Sequence, residues 1–470
     1  MPVNAEHPTY CKNRARWDLV RSVLDNDAAH WIRTVDASDS ARSKQYRDDA
    51  ILTNFTSLTK SGLTGLVFRR EPKISIPPVL QYLEDDATGN DLGLIQFSQK
   101  IIGEVLATGR HGVLVDYPQV DAPVSMAKSD KLGNVARLKS YAAESIINWR
   151  SEVIGSRNLL TLVVLCEIIE DLEEDEFTWR QTKQYRVLRL VDGVYQQSLY
   201  DEYYELIGTI IPKMANGSVW NEIPFKFIGS ENNDASMDKI PLYDLAVLNL
   251  GHYRNSADYE ESIFITGQPT LFLKGDGSLE EFKSVYPDGI RFGSRAGYYL
   301  GLNGGADLVQ ANPNQLADVA MKRKEEQALA IGARLIAPYG GRETAEAAKI
   351  RFASQNSALY LITTNISEGI EDCLEWADSF MSESGSDDIV FVLNDQFYDD
   401  TADPNLIAQQ IMLLDKGIIA PDDLRDYARR TGVIDDSRTN EDLDQEAKVT
   451  QSVTTNVQST GDMTDGKPSN

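Results

Sequence analysis

The sequence predicts an α+β chain, and three stretches carry that reading. Residues 343–381 contain no proline and place apolar side chains at Ala348, Phe352, Leu359, Ile362, Ile366, Ile370, Cys373, Ala377 and Phe380. Those steps of three and four, with one of seven, are the spacing of an amphipathic helix. At 1.5 Å per residue it would be roughly 60 Å long, several times a typical globular helix. Residues 145–211 are rich in β-branched residues broken by turn signals, which reads as an antiparallel meander. Residues 241–336 read as helix, short glycine-rich insertion, helix.

Along the chain, Leu19, Val20, Val23 and Leu24 mark one helical face, and Ile51, Leu52, Phe55, Leu58 and Leu63 mark a second. Asp91-Leu92-Gly93 opens a helix carrying Leu94, Phe97, Ile101, Ile102, Val105 and Leu106, stopped at Thr108-Gly109 by a glycine C-cap. A short strand follows from Gly112 to Tyr117 and ends at Pro118. In the meander, Leu160 to Ile169 and Tyr185 to Val191 flank an acidic turn at Glu170 to Glu176, and Asp192-Gly193 is a two-residue hairpin signal. Helix resumes over 241–264, and 268–311 is a small α/β insertion. Ile389 to Leu393 reads as a strand. Leu406 to Arg430 is helical with breaks at Lys416-Gly417 and Pro421. The polar stretch from Thr450 onward lacks the apolar residues to build a core, so it is expected to be disordered.

The 470 residues suffice for a substantial core and two to four domains. A formal charge of −26 argues against a protein that coats nucleic acid by neutralising phosphates. The three cysteines, Cys11, Cys166 and Cys373, are odd in number and far apart, so a reducing compartment is expected. The N-terminus lacks the basic and apolar regions of a signal peptide, and the longest apolar run, Leu159 to Ile169, is too short to span a bilayer as a helix, so no membrane association is expected.

No catalytic constellation is legible. Lys274-Gly275-Asp276-Gly277 lacks the Gly-Lys-Ser/Thr of a phosphate loop, and Gly301-Leu302-Asn303-Gly304-Gly305 misses the dinucleotide fingerprint, so both read as turns. The histidines His7, His30, His111 and His252 show no metal-ligand spacing, and His111 reads as a polar residue at a helix-to-strand corner. Consecutive acids at Glu173 to Glu176 diverge on a turn, whereas a metal needs converging ligands, so they read as a solvated hairpin tip. Asp399-Asp400-Thr401-Ala402-Asp403-Pro404 lacks the glycine and closing glutamate of a calcium loop. No cofactor or metal is expected. Lys322-Arg323-Lys324 is the densest basic cluster. It reads either as a helix face partly neutralised by Glu325 and Glu326 or as a contact for passing phosphates.

Four segments in order resemble the portal proteins of tailed bacteriophages, and in particular a portal-like family long catalogued as a phage domain of unknown function. They are Asn54 to Pro72 ending Gly65-Leu66-Val67-Phe68-Arg69-Arg70-Glu71-Pro72, Gly109 to Pro118, Pro241 to Glu260, and Glu343 to Leu359. The resemblance spans about residues 46 to 440. It implies a portal-type fold: an N-terminal wing over 1–240, a first stem helix over 241–267, a clip over 268–313 and a second stem helix over 314–337. It further implies a tunnel loop over 338–342, a long wing helix and strand over 343–400, a helical crown over 401–440 and a disordered tail over 441–470. The implied function is a non-enzymatic, ring-forming conduit, a homo-oligomer of twelve subunits at a capsid vertex of the virion, assembled in the bacterial host cytoplasm. Double-stranded DNA would pass through it without sequence specificity during packaging and ejection. Its implied partners are the terminase large subunit, major capsid and scaffold proteins, and neck or tail adaptors. The resemblance makes Lys322, Arg323, Lys324, Tyr339, Gly340, Gly341 and Arg342 the candidate tunnel-facing residues. Two other readings are a different head-tail connector or minor capsid protein, and a metal-dependent DNA-processing enzyme, which would need Glu173 to Glu176 to converge.

Overall fold

The computed structural model describes residues 3–117, 135–173, 175–267, 270–289, 302–310, 315–336, 358–383, 388–395, 397, 404–430, 433–434 and 438–445. The chain divides into two compact units, Met1–Asp395 and Gln396–Asn470. Every strand pairing among the described residues is antiparallel, and α-helices pack on the sheet that contains residues 110–116, so the chain is α+β. No helix among these residues is long and apolar enough to cross a membrane.

The first unit opens with α1 (Pro8–Leu24), α2 (Ser40–Asp48) and α3 (Phe55–Val67). The second predicted helical face begins later than expected. Asn54 accepts a hydrogen bond from the Ser57 amide and caps α3, so Ile51 and Leu52 precede the helix, and Leu58 points to solvent. After α4 (Tyr82–Asp85), α5 (Leu94–Thr108) follows the expected face, with Leu94, Phe97, Ile101, Ile102, Val105 and Leu106 all buried. Gly109 ends it at φ +76°, where a Cβ would lie 2.5 Å from the Lys239 carbonyl oxygen. Both the left-handed backbone and the close neighbour require glycine there.

Strand β2 (Arg110–Asp116) leaves this cap directly and becomes the centre of a three-stranded sheet, flanked by β3 (Arg137–Ala142) and β9 (Phe225–Gly229). His111 is therefore inside a buried strand and not at a turn, because no residue separates the glycine cap from the ladder. The predicted meander is a five-stranded sheet in sequence order: β4 (Ile146–Ile154), β5 (Arg157–Leu172), β6 (Trp179–Val191), β7 (Val194–Tyr200) and β8 (Leu206–Ile210). Asp192 and Gly193, at φ 49° and 78°, make its two-residue hairpin turn.

A column of stacked groups joins the two sheets. His7 lies against Trp149 of β4 with ring centroids 4.0 Å apart, and the Arg110 guanidinium sits between Trp149 and Phe227 of β9. Burying an arginine between two rings exchanges water for cation–π contact.

The predicted helix–insertion–helix segment appears as α6 (Tyr243–Gly267), β10 (Thr270–Lys274), α7 (Leu279–Val285), β11 (Gly305–Val309) and α8 (Leu316–Ile336). Of Lys274-Gly275-Asp276-Gly277, Lys274 ends β10 and the other three residues form the bend that leads to the Ser278 cap of α7. Of the long predicted helix, α9 (Ala358–Met381) is described, and residues 343–357 lie outside the described residues. On α9 the predicted positions Leu359, Ile362, Ile366, Ile370, Cys373, Ala377 and Phe380 are all buried. The helix packs on β9, where Gly369 gives room to Ile228 and Lys226 pairs with Asp372. The predicted strand near Ile389 is β12 (Val390–Val392), paired with β1 (Lys73–Ser75), a strand the sequence reading did not find.

In the second unit, α10 (Pro404–Asp415) and α11 (Pro421–Arg430) meet at Gly417, φ +68°, the break expected at Lys416-Gly417. The stretch from Thr450 lies outside the described residues.

Candidate nucleic-acid interface

Helices α6 and α8 run antiparallel. Near their junction with the insertion, the Gln310 amide donates to the Thr266 carbonyl at 2.9 Å. Farther along, His252 Nε2 lies 3.1 Å from Glu325 Oε1. Gly251 allows close approach of the pair, since a Cβ there would meet the Lys324 Cε at 3.1 Å. The first half of α6 is anchored in the body, with Leu245, Ala246, Asn249, Leu250, His252, Tyr253, Ser256 and Ala257 buried at helical spacing.

Polar residues do much of the anchoring. Asn249 Oδ1 accepts from the Thr56 amide (3.1 Å) and hydroxyl (2.9 Å), while its Nδ2 donates to the Thr53 carbonyl at 2.9 Å. Ser256 Oγ accepts from the Ile51 amide and donates to the Ile51 carbonyl. Asp258 receives Arg33 and Tyr46, each at 2.7 Å. Buried polar groups satisfied in this way fix one orientation of the helix. Sequence reasoning missed them because an apolar-periodicity search skips Asn249 and Ser256. Their seven-residue separation on one helix face was the available signal.

Beyond Ala257 the surface changes. Ile263, Phe264 and Ile265 on α6, and Leu316, Val319 and Leu329 on α8, are all exposed. The basic cluster on α8 does not converge. Lys322 pairs with Asp318 at 2.9 Å, and that hydrogen bond raises its pKa. Lys324 lies along α6 at Gly251, and Arg323 points to solvent. Glu325 reaches His252, and its charge also acts on Lys322. The α8 surface is thus mixed in charge, with Lys322 and Arg323 both exposed and Lys322 held by Asp318. Tyr339, Gly340, Gly341 and Arg342 lie outside the described residues.

The groups weighed for chemistry are engaged structurally. His111 is fully buried with Nε2 3.0 Å from the Ser140 hydroxyl, and burial drives its pKa down to about 4. Asp175 folds onto its own turn, its Oδ1 accepting from the Phe177 amide at 3.0 Å and the Thr178 amide at 2.7 Å. Its pKa is lowered by the Thr178 hydroxyl first and then by these amides. Glu174 lies outside the described residues. Among those described, no three His, Cys, Asp or Glu residues are grouped to hold a metal.

Residues 241–381, less than half of the chain, match a family described as "Domain of unknown function (DUF4055)". No curated protein matches the sequence. Among solved structures, the chain is similar to one from the virion of a native gene transfer agent particle, with 13% identity and a TM-score of 0.40, covering 81% of this chain and 91% of that one. It is similar to a chain from the neck of the native particle, computed with C12 symmetry, at 13% identity and a TM-score of 0.39, covering 82% and 92%. A chain from the neck of the empty particle, computed with C6 symmetry, gives 13% identity and a TM-score of 0.39 over 81% and 91%.

Proposed function

We propose that this chain is a portal protein of a tailed bacteriophage, a ring-forming conduit through which the genome is packaged and ejected. The observation that carries the reading is the antiparallel pair α6–α8, anchored in the body at one end and bearing the β10–α7–β11 insertion at the other. In this reading α6 and α8 are the stem, the insertion is the clip, residues 1–240 with α9 form the wing, and α10–α11 belong to the crown. The family match over 241–381 covers the same stem and clip segment.

The physics of the pair supports assembly. Exposed Ile263, Phe264, Ile265, Val319 and Leu329 would be costly on a monomer, and neighbouring copies in a ring would cover them. A closed ring uses heterologous contacts, so each subunit offers two different faces. A net charge of −26 per subunit repels phosphate, while screening beyond about 8–10 Å leaves local residues such as Arg323 to guide a duplex. The reading assigns no enzymatic step to this chain. The terminase large subunit would dock on it during packaging, capsid and scaffold proteins would surround it, and neck or tail adaptors would follow.

Negative-stain imaging of the purified chain, together with its mass in solution, tests the reading. Rings with a central channel are expected. A compact monomer at all concentrations overturns it.

A further inference from the structure

The five-stranded sheet is unequal in length, and its overhang pairs with no further strand among the described residues. Strand β4 leaves β5 at the Ile146–Leu165 pair, and β7 leaves β6 at the Tyr185–Tyr200 pair. Strands β5 and β6 continue together to the Leu172–Trp179 pair as a two-stranded arm. Its base is braced. Tyr141 donates to Glu167 at 2.6 Å and Arg186 pairs with Glu167 at 2.7 Å, while near the tip Arg180 pairs with Glu202 at 3.1 Å. Its tip is organised by the Asp175 turn. A two-stranded ribbon is marginal alone, yet this one holds Phe177 85% exposed and Trp179 62% exposed, with Ile168 and Leu172 also open. Large aromatics on a projecting, braced arm are the anchors of an interface.

Charge identifies the partner. Residues 170–179 contain six acids and no base. At the opposite end of the same sheet, Val153 and Ile154 are exposed beside Arg157 at the β4–β5 turn, and Arg189 lies farther back on β6, opposite Leu162. Both arginines are exposed and unpaired with any carboxylate among the described residues; of the acids at this end, Glu152 is paired with Arg150 at 3.0 Å and Asp192 sits in the β6–β7 turn, so the end keeps a net positive charge. The two ends are complementary, acidic with aromatics against basic with aliphatics. They are separated by the length of β5, roughly 50 Å at 3.3 Å per residue, so no chain can join its own ends. We infer that the β5–β6 arm of one copy docks head-to-tail on the Val153–Arg157–Arg189 end of the sheet in a second copy. Such a contact is heterologous and propagates around a ring. The inference rests on the ring-forming reading and adds to it which surfaces of the wing meet.

The test uses two variants of the full chain, both altered at exposed positions: Phe177→Ser with Trp179→Ser at the tip, and Arg157→Glu with Arg189→Glu at the other end. Sedimentation velocity of each variant and of their equimolar mixture is compared with the unaltered chain, with melting curves to confirm folding. The expected result is at least tenfold weaker association for each variant alone. Their mixture restores the arm contact wherever the arm of an arginine variant meets the basic end of a tip variant, and it associates more strongly than either variant alone. If both variants assemble like the unaltered chain, or the mixture associates no more strongly than either variant alone, the arm contact is overturned while the ring reading stands. If the unaltered chain itself remains monomeric, both fall.

Discussion

The guanidinium of Arg110 lies 4.3 Å over the ring of Trp149, and this contact ties the three-stranded sheet to the five-stranded one. Phe227 closes the other side at 3.9 Å, and Arg110 Nη2 donates to the Ala235 carbonyl at 2.5 Å. Nη1 has no partner among the described residues, and burial lowers the pKa to about 9, so the group keeps its charge at neutral pH.

Arg110→Ala should lower stability by about 3 kcal/mol, because it removes the filling of the slot as well as the cation–π contacts. Arg110→Met fills the same slot without a buried charge and should cost less than half as much. Urea midpoints of the two variants decide this. Equal losses would mean that the charge, and not the packing, holds the column.

His111 makes stability depend on pH. Burial holds its folded pKa at about 4, below the ordinary 6.5, so the unfolded chain binds more protons between those values. Stability contributed by the neutral ring is therefore present above pH 6.5 and is lost as pH falls toward 4. That difference is worth roughly 3 kcal/mol. His111→Gln should flatten the dependence of the urea midpoint over pH 4–6.5. An unchanged slope would assign the acid sensitivity to other groups.

Gly109 and Gly155 form an internal comparison. Both have positive φ, +76° and +66°, but a Cβ at Gly155 meets nothing within 4 Å, whereas one at Gly109 meets the Lys239 carbonyl. Gly155→Ala should cost about 1 kcal/mol from backbone strain alone, and Gly109→Ala should cost at least twice that. Thermal melts of the two variants measure the difference.

Under the conduit reading, Arg323 and Lys322 should differ in their effect on non-specific DNA binding. Arg323→Ala should weaken retention of duplex DNA by the assembled protein and reduce the salt slope by about one unit. Lys322→Ala should have a smaller effect, since Asp318 already occupies its charge. Filter retention across a salt series reads both. Equal effects would show that the Asp318 pair opens when DNA is present.

Much of the secondary structure was legible because it depends on local spacing. The α9 face from Leu359 to Phe380, the Gly109 cap, the Asp192-Gly193 hairpin and the 241–336 segment each follow from residues a few positions apart. The start of α3 was misplaced because Ile51 and Leu52 continue an apolar pattern that the Asn54 cap interrupts. For the candidate interface, the sequence showed three adjacent cations but not their separate fates. Lys322 turns to Asp318, and Lys324 lies on α6 at Gly251.

By itself, then, the sequence determined the periodicities, caps and turns, and the acidic balance of the chain, because those are properties of neighbouring residues. Only the tertiary structure decided that Arg110 would be enclosed by Trp149 and Phe227, that β1 would pair with β12, and that the β5–β6 arm would outrun its neighbours. Each of these depends on which distant segments share a contact. A local pattern of side chains carries no energy term for a partner far away along the chain, and packing supplies that term.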